Sequence, residues 1–297
     1  MKIVKSGLDM IETNKDRLIK VAALGEIITP ACRGYRPTWD GRVKFSQGGA
    51  GIKYNLKVGD LTSGWVSGDH VEPGVIIQGK EKPVPSDTAV ALLSCIGNEA
   101  VVVSGNGKGC RGVYTGRHAG SHSMCWFKDD ELEKLAIGDK IQVKTWGVGL
   151  KIKGFESVKV NKCSPQLLES MRLEIENNKL TIPVTANIPP YLMGSGIGHD
   201  PIVEPIDYDI QTTDPAVVEE FELEKLRLGD IVCLLDQLCL YGRGYYPGAV
   251  TIGVVVHGFS DFSGHGPGVN PILSTKDNLI KSYIDATSNI TKYLNLK

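Results

Sequence analysis

The sequence predicts an α+β fold, mainly β, built as two β-rich halves with a weak internal duplication and a C-terminal covering helix. Its apolar runs are short and rich in Val and Ile, as strands are. Gly accounts for 35 of 297 residues and Pro for 15, against a usual glycine share of ~7%, so the chain turns often. Helix signals are few.

In chain order, "VAALGEII" (Val21–Ile28), "GVIIQG" (Gly74–Gly79), "TAVALLSCI" (Thr88–Ile96) and "EAVVVSG" (Glu99–Gly105) read as strands. Gly97-Asn98 forms the hairpin turn between the last two. In "KIQVKTWGVGLKI", Ile141, Val143 and Thr145 alternate with Gln142 and Lys144, the pattern of a half-buried strand. Ser164-Pro165 opens a helix through "QLLESM", with an N-cap followed by proline at the first helical position. "RLEIENNKLTIPVT" (Arg172–Thr185) is a hairpin turning at Asn177-Asn178. Pro183 puts its second arm at a sheet edge, because proline cannot donate to a ladder. Another helix starts at Asp214-Pro215. The continuously apolar "VTIGVVV" (Val250–Val256) is a strand buried on both faces. Leu279, Ile280, Tyr283, Ile284, Ile290, Tyr293 and Leu294 form a helical stripe, the covering helix.

The octapeptide "LEKLAIGD" (Leu132–Asp139) recurs as "LEKLRLGD" (Leu223–Asp230), and "LKVGD" (Leu56–Asp60) is a shorter relative. "VEPGVIIQG" (Val71–Gly79) likewise echoes "YYPGAVTIGVVVHG" (Tyr245–Gly258). These echoes suggest a duplicated turn-plus-strand unit. The boundary between halves is expected near Cys163, giving 1–163 and 164–297. Gly198–Pro215, rich in proline and acid, is an irregular excursion of the kind that often serves function or contact.

A net charge of -1 and a pI near 6.6 argue against a nucleic-acid partner. No apolar run approaches the ~20 residues of a membrane span, and the polar N-terminus is no signal peptide. The seven cysteines are odd in number and contain no C-x-x-C pair, so they read as free thiols in a reducing cytoplasm.

Candidate chemistry gathers in glycine-rich stretches. "HGFSDFSGHGPGV" (His257–Val269) leaves a buried strand and holds His257, Asp261 and His265; imidazole and carboxylate together suit a divalent metal. Asp236, a carboxylate inside the apolar "CLLDQLCL", must be paired, metal-bound or raised in pKa. Asp69-His70 precedes "VEPGV". "SGNGKGCRGVYTGRHAGSHSM" (Ser104–Met124) carries Lys108, Cys110, Arg111, Arg117, His118 and His122, with glycines that let backbone N–H groups approach an anion. Lys108 and Arg111 also favour a lowered thiol pKa at Cys110. "LMGSGIGHD" adds His199 and Asp200, without the G-x-S-x-G of a serine hydrolase. Neither a P-loop nor a dinucleotide fingerprint is present.

Leu226–Val269, with "VVSGNGKGCRGVYTGRHAG" (Val102–Gly120) and "YLMGSGIGHDP" (Tyr191–Pro201), resembles a prokaryotic family catalogued only as a domain of unknown function. The resemblance spans nearly the whole chain and implies a β-rich, two-part structure. Asp236 followed by His257 through Gly268 is also similar to a stretch of the acetamidase/formamidase family, which are β-rich, metal-dependent amide hydrolases. The Gly-Asp-Gly core of that family is replaced here by "GHGPG".

The leading expectation is a metal-dependent hydrolase of a small polar, amide-like substrate. Asp236, His257 and His265 would bind Zn, Mn or Fe, with His199, Asp69 or His70 completing the site. Asp261 and His199 are the catalytic candidates, Asp261 as general base. The alternative is a non-catalytic small-molecule-binding or oligomer-forming protein. A third reading is a metal-free anion site on Lys108, Cys110, Arg111, Arg117, His118 and His122.

Overall fold

The computed structural model describes residues 11–32, 34–80, 88–198 and 207–297. Its first half is a closed six-stranded barrel. The strands are β1 (Val21–Ile27), β4 (Val75–Gln78), β5 (Glu99–Ser104), β6 (Arg111–His118), β7 (His122–Phe127) and β8 (Lys140–Thr145), in the order β1-β4-β7-β6-β5-β8. Ile141 and Val143 point inward at 0 % exposure, as their alternation requires. A separate hairpin, β2 (Gly34–Pro37) with β3 (Val43–Ser46), leaves the barrel between β1 and β4.

The second half is an open sheet. β12 (Ala186–Ile188), β14 (Ile231–Leu238), β15 (Gly244–His257), β16 (Gly268–Thr275) and β13 (Tyr208–Asp209) lie side by side in that order. β9 (Lys159–Val160) from the first half pairs with β16. β10 (Glu174–Glu176), β11 (Lys179–Val184) and β17 (Ile280–Ile284) form a third, small sheet. One apolar core runs through both halves, joining Ile76, Ile96 and Met124 to Ile231, Ile252 and Val254. Each half also has its own core, around Ile77 and Tyr114 in the barrel and around Val232 and Val269 in the sheet.

Where β6 meets the sheet, a side chain replaces a strand. Asn270 Oδ1 accepts from the Arg117 N–H, and Asn270 Nδ2 donates to the Arg117 carbonyl, both at 2.8 Å. Gly116 makes the approach possible: at φ +142°, its added Cβ would lie 2.4 Å from Val256 Cγ1.

Three sequence expectations are corrected. Thr88–Ile96 is not a strand but contains helix α1 (Ala89–Leu93), whose Val90 packs into the barrel core. A continuous apolar run fits a strand or a buried helix equally, and Ala and Leu favour the helix. The C-terminal stripe is not a helix either. It divides into β17, which pairs in parallel with β11 from Leu180↔Ile280 to Val184↔Ile284, and a single turn, Ile290–Tyr293, capped by Asn289. Apolar residues at 279, 280, 283 and 284 serve both periods, and the ladder with β11 decides between them. Third, Pro183 is not on an edge strand, since β11 lies between β10 and β17. β10 reaches only as far as Thr181, so no ladder bond is lost at Pro183, whose carbonyl instead accepts the Ser288 hydroxyl at 2.7 Å. The helices at Pro165–Ser170 and Pro215–Glu220 form as expected, N-capped by Ser164 and Asp214.

The sequence echo is a repeated turn. In all three copies the Asp carboxylate accepts the backbone N–H three residues earlier: Asp60 from Lys57, Asp139 from Ala136 and Asp230 from Arg227. Gly59, Gly138 and Gly229 supply the positive φ of a type II turn. Burial pushes Asp230 up to about 6, against the Asn289 and Arg227 N–H bonds that favour its charge. Unfolded, it titrates near ~3.9. The native state therefore holds the extra proton between about pH 4 and 6, and this group's contribution is lost as pH rises through 6. Urea unfolding should show wild type losing up to roughly 3 kcal/mol relative to Asp230→Asn across that window, at 1.36 kcal/mol per unit; parallel pH profiles would contradict this.

Candidate metal centre

Five of the six histidines meet four buried carboxylates where the barrel joins the sheet. Chain direction explains the meeting. β6 and β7 form a tight hairpin at whose end His118 faces His122. β15 ends at His257, opposite Gly268 on β16, and β13 sets Asp209 beside the same Gly268. Residues 69–72 are laced to the chain just after β15 and to the chain just after β3. The His70 N–H donates to the Phe259 carbonyl, the Gly258 N–H to the Val71 carbonyl, and the Glu72 N–H to the Gly48 carbonyl.

Three histidines share one pattern. His70 Nδ1 donates to Asp69 Oδ2 at 3.0 Å, and Asp69 is held in turn by Ser46 and Ser260. His118 Nδ1 donates to Glu72 Oε1 at 2.5 Å. His257 Nδ1 donates to the Gly258 carbonyl at 3.1 Å. Carboxylates and carbonyls only accept, so each Nδ1 carries a proton, and Nε2 of His70 and of His257 is the nitrogen turned to the other groups of the cluster, His265 and Asp207. His257 Nε2 lies 2.6 Å from Asp207 Oδ2 and 3.4 Å from Asp209 Oδ1. His70 Nε2 lies 3.7 Å from Asp209 Oδ2, and His265 Nδ1 lies 3.0 Å from that oxygen. His118 stands against His257 with ring centres 4.0 Å apart. Asp207 Oδ1 accepts the Ala119 N–H at 2.9 Å, a bond between the halves. His122 Nδ1 reaches Glu72 Oε1 at 2.6 Å.

The electrostatics are one-sided. Burial alone would raise every carboxyl, yet the facing imidazoles outweigh it: Asp69 drops to about 2, Asp207 is lowered, and Glu72 and Asp209 fall well below the usual carboxylate range. Burial would likewise lower the histidines. Asp207 and Asp209 nevertheless raise His257 well above its usual value, and Asp209 and Asp69 raise His70. His118 goes down, because burial and the neighbouring His257 charge exceed the pull of Glu72. Lys53 Nζ, 4.0 Å from Glu72, is lowered by burial to about 8. Four carboxylates thus face two raised imidazoles and one lysine, and a net negative charge out of water calls for further cation.

Three groups of these residues could hold a metal ion: His70/Asp209/His265, Glu72/His118/His122 and His118/Asp207/His257. Each is two histidines and a carboxylate, a donor set that suits Zn or Fe. A cavity of about 20 Å³ adjoins them, lined in part by His70, Glu72, His118 and His122; that volume is enough for a water.

Of the residues singled out in the sequence, His257, His265, His70, Asp69, His118 and His122 come together here. Asp236 does not. It sits at a bulge of β14 with φ +52° and accepts the Gly248 N–H at 2.7 Å. Gly248 to His257 is nine residues of β15, roughly 30 Å of strand at ~3.3 Å per residue. Asp261 pairs with Lys44 and is 42% exposed, so it is no general base within this cluster. His199 lies outside the described residues. The expected anion loop is also corrected. Its N–H groups, from Asn106 and Gly107, both donate at 2.8 Å to the chain's own Asp139. Lys108 is exposed at the hairpin tip, Arg111 pairs with Glu99, and Arg117 is buried at 1 % exposure. Burial and Glu131 raise the Cys110 thiol, contrary to the lowering expected from Lys108 and Arg111. All seven cysteines are free.

Glu72, Asp207 and Asp209 were not among the sequence candidates. Their signals are short: "DHVEPG" puts Glu72 two residues after His70, and "IDYDI" spaces two aspartates to one face of an extended strand.

Fold and site define a two-part β protein with a buried histidine–carboxylate cluster at the junction of its parts. The profile described as "Domain of unknown function (DUF4438), N-terminal" matches residues 35–169, and that described as "Domain of unknown function (DUF4438), C-terminal" matches residues 170–294; the chain belongs to this family. It is similar to the chain in the crystal structure of TM1086, with a TM-score of 0.90 and 42% identity over 96% of this chain and 99% of that one. No curated protein matches the chain. The amidase likeness therefore stands on residues 236–268 alone, and Asp236 is far from the cluster. Among the described residues, no helix is long and apolar enough to cross a membrane.

Proposed function

We propose that the chain is a metal-dependent hydrolase of a small polar substrate, working at the His70, His118, His257, His265, Asp207 and Asp209 cluster with Zn, Mn or Fe. The observation that carries this is the anchoring of His70, His118 and His257 at Nδ1 by Asp69, Glu72 and the Gly258 carbonyl. Metal-ligating histidines are oriented this way by their outer-shell partners. An ion held there would supply a water of lowered pKa and a Lewis acid for a carbonyl. His265, whose side chain is 37% exposed, gives the cluster an open edge from which a substrate could approach.

A second reading, a non-catalytic ion clasp between the two halves, is favoured by the small cavity and by the Ala119–Asp207 bond across the junction. The test is metal analysis of protein purified without a nickel column, followed by assay of the metal-loaded chain on small amides and esters. Hydrolysis that disappears on chelation and in His265→Ala supports the hydrolase. Metal uptake that raises the melting temperature without turnover supports the clasp. If zinc, manganese and iron are all refused, both readings fall.

A further inference from the structure

Resting on the metal reading of this cluster, we infer that it is a two-ion centre in which the Asp209 carboxylate is the bridge. Two of the triads, His118/Asp207/His257 and His70/Asp209/His265, share no residue. Asp209 faces both. Its Oδ1 lies 3.4 Å from His257 Nε2, while its Oδ2 lies 3.0 Å from His265 Nδ1 and 3.7 Å from His70 Nε2. A carboxylate whose two oxygens address different imidazoles is disposed to hold one ion on each. Asp207 and Asp209 stand two apart on extended chain and so present to the same face.

Charge points the same way. Asp69, Glu72, Asp207 and Asp209 are four buried carboxylates, and Lys53 Nζ stands 4.0 Å from Glu72. With neutral imidazoles, that lysine and one divalent ion would still leave a negative charge uncompensated.

The remaining triad, Glu72/His118/His122, has a different part. His118 has its Nδ1 committed to Glu72, and Glu72 Oε1 receives both His118 and His122. Glu72 is thereby the positioning residue that aims His118 at Asp207. His122 lies outside the pair of ions.

Bridged ions in such sites lie about 3.5–4 Å apart, close enough for two manganese(II) ions to couple magnetically. The full chain, stripped with chelator, should take up two zinc ions per chain by native mass spectrometry. With manganese(II) it should give the electron paramagnetic resonance spectrum of a coupled pair. His265→Ala should retain one ion and show an uncoupled, single-ion spectrum, while His122→Ala should keep the coupled pair. Circular dichroism of both variants checks that they are folded. Saturation at one ion per chain, two uncoupled ions, or loss of the second ion in His122→Ala rather than His265→Ala would each overturn the inference. A coupled pair without hydrolysis sinks only the hydrolase, and hydrolysis with a single ion sinks only the pair.

Discussion

Gly268→Ala is expected to dismantle the cluster from within. A Cβ at Gly268 would sit 2.0 Å from His257 Nε2 and 2.3 Å from Asp207 Oδ2, far inside contact distance. Neither neighbour is a free chain end. His257 is pinned through Nδ1 to the Gly258 carbonyl, and Asp207 through Oδ1 to the Ala119 N–H. The backbone must give instead, at about 3 kcal/mol, the upper end of ordinary overpacking. In a chain of this size that is a fall of roughly 6–12 °C in melting temperature, measured with chelator present so that only the protein is compared. Gly244→Ala is the control, because nothing lies within 4 Å of its added Cβ; it should change little. Equal melting temperatures for the two variants would refute the packing described for Gly268.

His257→Ala carries the other large effect. The ring is fully buried and sits between Asp207 and Asp209. Its removal leaves two carboxylates close together, out of water and without their main counter-charge. Breaking a buried pair from one side costs about 3–5 kcal/mol, or a fall of roughly 6–20 °C. Adding Asp207→Asn removes one of the stranded charges, so the double variant should be less destabilised than the two single changes summed. Thermal unfolding of the four proteins measures this, and strict additivity would mean that the pair is not coupled.

How much of this was legible in the sequence depends on whether the signal was local. The barrel strands β1, β4, β5 and β8 followed from Val/Ile runs, and the β10–β11 hairpin from Asn177-Asn178, both at positive φ. α1 and β17 were misread because their apolar residues satisfy two periods at once, and only the barrel core and the ladder with β11 choose between them. At the site, His257 was legible as a strand end and His118/His122 as neighbours in a loop. Asp207 and Asp209 were hidden in a stretch whose acid content resembles any solvated excursion. Asp236 misled for the opposite reason: an acid in an apolar strand looks functional, whereas a bulge with αL geometry needs a short acceptor to tie its own backbone. The glycine loop at 104–110 misled as an anion site because its backbone N–H groups are already taken by Asp139, a residue of the same chain that lies some thirty positions further on.

The eight residues of the three candidate groups divide evenly across the family boundary. His70, Glu72, His118 and His122 fall within residues 35–169, and Asp207, Asp209, His257 and His265 within residues 170–294. A gene split at that seam would yield two polypeptides, each with an incomplete inner set, and neither could assemble the cluster alone. Recovery of the full set on mixing would then depend on the Asn270 carboxamide finding the Arg117 peptide again, so the cluster would report reassembly of the two pieces.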